Sequence, residues 1–371
     1  MDASSSDASE PGAPWRALDS LSVSGNTACA PQPSSPQQSN LQPSTHPDQL
    51  QELLKLAEDV ATYKLRLTAD DEPIKFSISR ESWLKLQEDS NFDLCTGRKL
   101  FRFFFDSSRY LVTIMPPPCS RHDAMVYFLQ RVPFETSSDL MSTLMSKIWI
   151  QGAPASLIST GEYESSVKQP DLCIDWEKNM LDRRRHTIVE VGKTQTLQDL
   201  RYLARFYLNN DANIQRVILI DITETPPFQS PKSIDISQGF QEDEETGVVW
   251  FGNAKIIGQT KILWEVWERD STGVPQSTFE ETFAFGKVPL RDLPFFTIPE
   301  GGVYCDTTIR REVDVPIKPE MIQKFWTKYW GSACWVDVHR RMFGLLGEQR
   351  LKEALEEARA RHLARLSTGP S

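Results

Sequence analysis

Basic residues are in deficit here: 41 Lys and Arg stand against 51 Asp and Glu, for a net charge of −10. Without a general positive surface, a sequence-reading DNA-binding protein is disfavoured, and any nucleic-acid contact has to be local or metal-assisted. Cysteine is sparse too. Cys29, Cys95, Cys119, Cys173, Cys305 and Cys334 form no CxxC pair and have no Cys/His partner at zinc spacing, so reduced, mostly buried thiols are expected. No apolar run approaches the roughly 20 residues that span a bilayer. The first residues carry Asp2, Asp7 and Glu10 and lack an apolar stretch of the signal-peptide kind. These absences predict a soluble intracellular protein, cytoplasmic or nuclear, with no membrane partner. No internal repeat is visible.

What is present suffices for a core: 39% of the residues are hydrophobic and 10% aromatic. Residues 1–48 hold seven of the 24 prolines and eleven serines, so they bury too little apolar surface to offset their ordering entropy and read as a disordered tail. A helical lead-in over 49–97 follows, with Leu50, Leu53, Leu54 and Ala57 on one face and Ser79 as a cap for "RESWLKLQED". "KLFRFFF" and "RYLVTIM" flank Asp106-Ser107-Ser108 and predict a hairpin. Ser120 is expected to cap a helix near His122, and "SDLMSTLMSKIWIQ" to form another. "PDLCIDW" reads as a strand, "EKNMLDRRRH" as a charged turn, and "TIVEVG" as the next strand. "LQDLRYLARFYL" has Leu197, Leu200, Leu203 and Tyr207 at helical spacing, and "RVILIDIT" is an apolar strand of the parallel-sheet kind. Strand, helix and strand within about 35 residues predict a βαβ unit. "GVVWFG", "KILWEVWERD" and "STFEETFAF" alternate as antiparallel strands do. "PEMIQKFWTKYW" and "WVDVHRRMFGLL" read as two helices. A last amphipathic helix, about 348–366, carries Leu351, Ala354, Leu355, Ala358 and Leu363 and is expected to pack on the domain or on a protein partner.

Glu190 lies inside an apolar strand, where a charge is costly unless something pairs with it. Asp171 heads the preceding strand, 19 residues earlier. If both point to one face, their mutual repulsion can be relieved by a hard divalent cation, Mg²⁺ with Mn²⁺ substituting, which could activate water against a phosphodiester. The alternative is a structural Glu190 paired with an arginine such as Arg201 or Arg205.

The series "QPDLCI", "TIVEVGKTQ", "LQDLRYLARFYL", "RVILIDI", with "TIMPPPCSRHDAMVYFL" ahead of it, resembles the PD-(D/E)XK, restriction-endonuclease-like superfamily over about residues 98–225. The nearest branch is that of the putative endonucleases of bacteria and their fungal relatives. The resemblance implies an α+β fold, a mixed sheet flanked by helices; with the alternating strands read after it the domain spans 98–300 including a β-rich extension, and the helical patterns beyond make a helical C-terminal extension over 301–371. It implies Asp171 and Glu190 as catalytic, metal-binding acids and Asp123 as a further metal ligand. The family's lysine falls two places after the glutamate, which here is Gly192; Lys193 is one place late and, on a regular strand, faces the other way. Gln195 and Gln198, the latter with Tyr202, are candidate polar ligands or phosphate contacts. Arg184, in the run Arg183–His186, is a candidate phosphate contact.

Two functions follow as expectations. One is a Mg²⁺-dependent nuclease of the PD-(D/E)XK type, with Lys193 or a nearby polar group orienting water. The other is an inactive nuclease-fold protein kept as a binding or interaction scaffold, favoured by Gly192 and the net charge. The tryptophan-rich "FWTKYWGSACW" is expected to pack in the core or a helix–helix seam, the alternative being a stacking platform for bases.

Overall fold

The structure, a computed structural model, describes residues 48–135, 148–152, 156–157, 166–179, 182–231, 234, 239–298, 303–304, 307–308, 313–347, 353 and 356. In chain order come α1 (Leu50–Ala61), β1 (Ile74–Ser77), α2 (Arg80–Gln87), α3 (Ser90–Gly97), β2 (Arg102–Asp106), β3 (Leu111–Met115), α4 (Ser120–Glu135) and β4 (Ile148–Gly152). There follow β5 (Ser156–Leu157), β6 (Val167–Lys168), β7 (Leu172–Asn179), β8 (Asp182–Gly192), α5 (Leu197–Asn210) and β9 (Arg216–Thr225). Next are β10 (Phe240–Asp243), β11 (Val248–Phe251), β12 (Ala254–Ile257), β13 (Gln259–Arg269) and β14 (Pro275–Ala284). The short strands β15 (Leu293–Ile298), β16 (Val303–Tyr304), β17 (Thr307–Thr308) and β18 (Val313–Ile317) precede α6 (Pro319–Lys324), a π-helical stretch (Phe325–Trp330) and α7 (Gly331–Leu346). The chain is thus a mixed α+β protein. The expected disordered tail falls almost wholly outside the described residues.

The central sheet has six strands in the order β14-β13-β9-β8-β7-β4. Only β8 and β9 run parallel, joined through α5; the other neighbours are antiparallel, so the sheet is mixed and the βαβ unit stands. Thr196 caps α5 by accepting from the Asp199 N–H at 3.1 Å. The face that α5 covers carries Cys173, Ile188, Val217 and Leu219 against Leu200, Leu203 and Phe206. The opposite face carries Leu172, Val189, Val191, Ile218 and Ile220 against Met125, Phe128, Phe325, Trp326 and Trp330. Trp326 and Trp330 therefore pack in the core, as their run suggested. A second, five-stranded sheet, β1-β3-β2-β6-β5, packs with α1, α2 and α3 around Trp83, Phe92 and Phe105.

Several elements differ from the sequence reading. Most of "EKNMLDRRRH" is strand rather than turn: β7 runs to Asn179 and β8 starts at Asp182, and 180–181 lie outside the described residues. Charge is tolerated in these strands where opposite signs meet, as Asp175 and Arg185 do with Nε 3.6 Å from Oδ1. Ile148–Gly152 is strand rather than helix, since Ile148 and Ile150 pair with Trp176 and Ile174; 138–147 lies outside the described residues. Ser120 begins α4 instead of capping it, and the His122 N–H meets the Cys119 sulfur at 3.4 Å. The two expected C-terminal helices form one run, because Gly331 keeps right-handed helical angles and the π turn absorbs the register change. Ser79 does cap α2, accepting from the Ser82 N–H at 3.1 Å. Cys95, Cys119, Cys173 and Cys334 are free and buried, as anticipated. Among the described residues no helix is long and apolar enough to cross a membrane.

Candidate functional site

Leu172 pairs with Val189 across β7 and β8, so Asp171, one residue earlier, falls opposite Glu190, one residue later. Residues opposite each other in an antiparallel pair share a face. Alternation along the strands puts both acids on the α5 side, with Cys173 and Ile188. Both are buried: Asp171 is 6% exposed and Glu190 1%.

Two of the partners, Arg102 and Lys168, come from the second sheet. Arg102, at the head of β2, bonds Asp171 Oδ1 through Nη1. The His122 Nε2 lies 3.1 Å from the same oxygen, and its Nδ1 lies 3.1 Å from Asp123 Oδ1. Asp171 Oδ2 accepts from the backbone N–H of Val191 at 2.8 Å. On Glu190, Oε2 accepts from the Lys168 ammonium at 3.2 Å and Oε1 from the Tyr207 hydroxyl at 2.6 Å. Lys168 is itself only 1% exposed. Each of the four carboxylate oxygens is therefore engaged by a protein group.

Burial by itself would raise the Asp171 pKa, but the charges of His122 and Arg102 outweigh it and hold the carboxyl well below its usual range. Glu190 moves the other way. Burial raises it, the Lys168 ammonium opposes, and the neighbouring Asp171 charge reinforces the rise. His122 is raised: burial opposes its protonation, but the Asp171 charge and the Asp123 and Asp171 contacts prevail.

No family model, curated protein or solved structure matches the chain.

The remaining predicted site residues scatter. Lys193 leaves the acid pair and places Nζ 2.9 Å from Asp70 Oδ1. Gly192 cannot be replaced by the missing lysine without rearrangement, because a Cβ there would lie 2.5 Å from Leu200 Cδ1. Asp123, with its side chain 63% exposed, reaches Asp171 only through His122, so it does not converge with the pair as a third ligand. The Gln195 amide nitrogen lies 3.3 Å from the Met115 sulfur, and Gln198 is exposed. Tyr202 bonds Asp106. Arg184 lies in β8, six residues before Glu190 and hence about 20 Å along the strand. Arg201 pairs with Glu265 and Glu280, and Arg205 lies over the Trp267 ring, so neither is the partner of Glu190.

Sequence reasoning missed Arg102, Lys168 and Tyr207. The argument that singled out Glu190 could have found Arg102, the lone charge inside the aromatic run "LFRFFF". Lys168, three residues before Asp171 in "VKQPD", carried no comparable signal, because its strand is only two residues long.

The donor chemistry does not fit a divalent cation. Two carboxylates face Arg102, Lys168 and a histidine whose protonation is favoured, so protein donors already occupy the carboxylate oxygens that Mg²⁺ would need. Among the described residues no three His, Cys, Asp or Glu side chains converge to hold a metal. A small cleft enclosing about 280 Å³ opens beside the cluster, lined by Arg102, His122, Lys193, Thr194 and Gln195 among others. Neither carboxylate lines it.

Proposed function

We propose that this chain has a restriction-endonuclease-like core whose acid pair is neutralised from within, and that it works as a binding or interaction scaffold rather than as a hydrolase. The strand–strand–helix–strand order, with Asp171 and Glu190 opposite each other on the α5 face, supports the nuclease-like ancestry. The observation that carries the scaffold reading is the occupation of all four carboxylate oxygens by protein donors, with Arg102 and Lys168 offsetting both charges. A partner of such a scaffold is a protein or a locally contacted nucleic acid.

One observation favours a second reading, a Mg²⁺-dependent nuclease acting on phosphodiesters. Lys168 brings an ammonium to within 3.2 Å of Glu190 although position 192 is glycine, so aspartate, glutamate and lysine are all present. Melting with Mn²⁺ and supercoiled-plasmid cleavage separate the two. A cation bound at about 100 times its Kd would add ~2.7 kcal/mol to the folded state. The scaffold reading expects no Mn²⁺-dependent shift and no nicking. It is overturned if Mn²⁺ raises the melting temperature and Asp171→Ala removes that shift, or if the plasmid is cut and Asp171→Ala and Lys168→Ala each abolish the cutting.

A further inference from the structure

The wall of the second sheet that faces α5 is built around one cross-strand row. Thr113 on β3 stands opposite Lys75 on the edge strand β1 and opposite Phe104 on β2, so the three side chains share a face. Leu111 and Met115, two residues to either side of Thr113, share it too. With Asp199, Tyr202 and Leu203 of α5 they line a cleft of about 420 Å³, to which neither Asp171 nor Glu190 contributes. That volume falls at the lower end of the roughly 300–1,000 Å³ of small-molecule sites.

Along the row the chemistry is graded. The Lys75 side chain at the rim is 45% exposed, whereas Phe104, Met115 and Leu203 are buried. Thr113, between Lys75 and Phe104, is buried as well, yet among the described residues no hydrogen bond engages its hydroxyl. A buried hydroxyl ordinarily has a partner. Gln195, also in the lining, directs its amide nitrogen only to the Met115 sulfur, a weak acceptor.

Two cations stand at the mouth. Lys75 pairs with Asp199 at 3.1 Å. The Arg109 guanidinium lies 5.0 Å from the centre of the Tyr202 ring, and its ion-pair partner, Asp106, is 4.0 Å away. The oxygens of Asp106 are already taken up by Ser108 and Tyr202. Asp199 and Tyr202 are three residues apart on α5, so they hold the two cations about one helical turn from each other.

We propose that this cleft binds a small apolar monocarboxylate, an aromatic acid about the size of phenylacetate. Its ring would rest on Phe104, Met115 and Leu203, and its carboxylate would accept from the Thr113 hydroxyl and from Lys75 and Arg109. Two cations against the one carboxylate that lines the cleft suit a single negative charge. The apolar inner wall favours a ring over a bare phosphate. This site is separate from the acid pair, so it stands whichever way the nuclease question falls.

Isothermal titration of the full chain with phenylacetate tests this. Binding at about 1 mM or tighter is expected for a ligand of about ten heavy atoms. Phenylacetamide keeps the ring and loses the charge, so it should bind at least about tenfold more weakly. Thr113→Val, which keeps the shape, and Arg109→Gln, at an exposed position, should each weaken phenylacetate about tenfold while the melting temperature stays close to wild type. No binding at about 10 mM phenylacetate overturns the proposal. Equal affinity for the amide overturns it too, because the cations would then play no part. Binding that survives both substitutions lies elsewhere and likewise overturns it. Inorganic phosphate binding more tightly than phenylacetate overturns it in favour of a phosphate-bearing ligand.

Discussion

The cluster at Asp171 and Glu190 and the cluster at Asp70, Glu224 and Asp337 use the same residue types but join different parts of the chain. The first lies in the seam between the two sheets, acids on one and Arg102 and Lys168 on the other. The second ties the 68–72 loop, α4 and the end of β9 to α7. Arg121 bonds both Glu224 and Asp337 at 2.8 Å, and Arg341 bonds Glu224 at 2.8 Å and Asp70 at 2.6 Å. Lys193 and Arg340 also reach Asp70. Guanidinium forks that each grip two carboxylates fix orientation as well as charge, which a single ammonium on Glu190 does not. Burial alone would raise Glu224, but the Arg341 hydrogen bonds and the Arg121 charge pull it down to about 2. The difference shows that α7 is held into the core by ion pairs rather than appended to it, so the C-terminal helical run is part of the folded unit.

Removing a fork should therefore do more damage than loosening the sheet seam. Arg341→Ala leaves Asp70 and Glu224 short of a buried partner and should destabilise by about 3–5 kcal/mol. Urea unfolding measures it. A loss below about 1 kcal/mol would mean that the hydrophobic contacts of α7, not its arginines, hold it in place.

Glu190→Gln should rank second, at about 1–3 kcal/mol destabilising, because it strands the buried Lys168 ammonium while the amide oxygen still accepts from Tyr207. The glutamate is already disfavoured as an anion by burial, which keeps the effect below that of Arg341. Adding Lys168→Met should recover most of the loss, and a double-mutant cycle reads the coupling. Stabilisation by Glu190→Gln alone would instead indicate that repulsion from Asp171 dominates the seam, and would reopen the metal-site reading.

The parts of this architecture that could be read from residues are those governed by local pattern. The 3.6-residue spacing of Leu200, Leu203 and Tyr207 and the apolar run "RVILIDI" predict α5 and β9, and their parallel pairing with β8 follows. The opposition of Asp171 and Glu190 was legible for the same reason, since it needs only the alternation of two adjacent strands. What sequence could not supply was long-range partnership. Arg102 and Lys168 reach the acids because β2 and β6 pair with each other in a separate sheet, and Lys193 turns to Asp70, 123 residues away. Strand length misled too: "EKNMLDRRRH" looks like a turn, but β7 and β8 extend through most of it in register.

Asp221 sharpens the contrast, being a buried acid that belongs to neither cluster. It lies on β9 beside Gly192, on the α5 face, and among the described residues no hydrogen bond or ion pair engages it. Burial raises its pKa from 3.8 to about 6. The folded chain thus holds this proton more tightly than the unfolded chain does. The favourable contribution is intact below about pH 3.8 and is lost as pH rises through 6, so at pH 7 the fold carries a carboxylate that it disfavours. Asp221→Asn keeps the shape and removes the charge, and should stabilise by ~1–2 kcal/mol at pH 7, since one pKa unit is worth about 1.4 kcal/mol and partial solvent contact reduces the full figure. The gain over wild type should shrink as pH falls below 6 and vanish near pH 4. Denaturation of the two proteins side by side from pH 4 to 7.5 isolates this one group, because every other titration is common to both. A destabilised Asp221→Asn at pH 7 would show that the carboxylate does have a cationic partner, and that all three buried acid sites of this sheet follow the same rule.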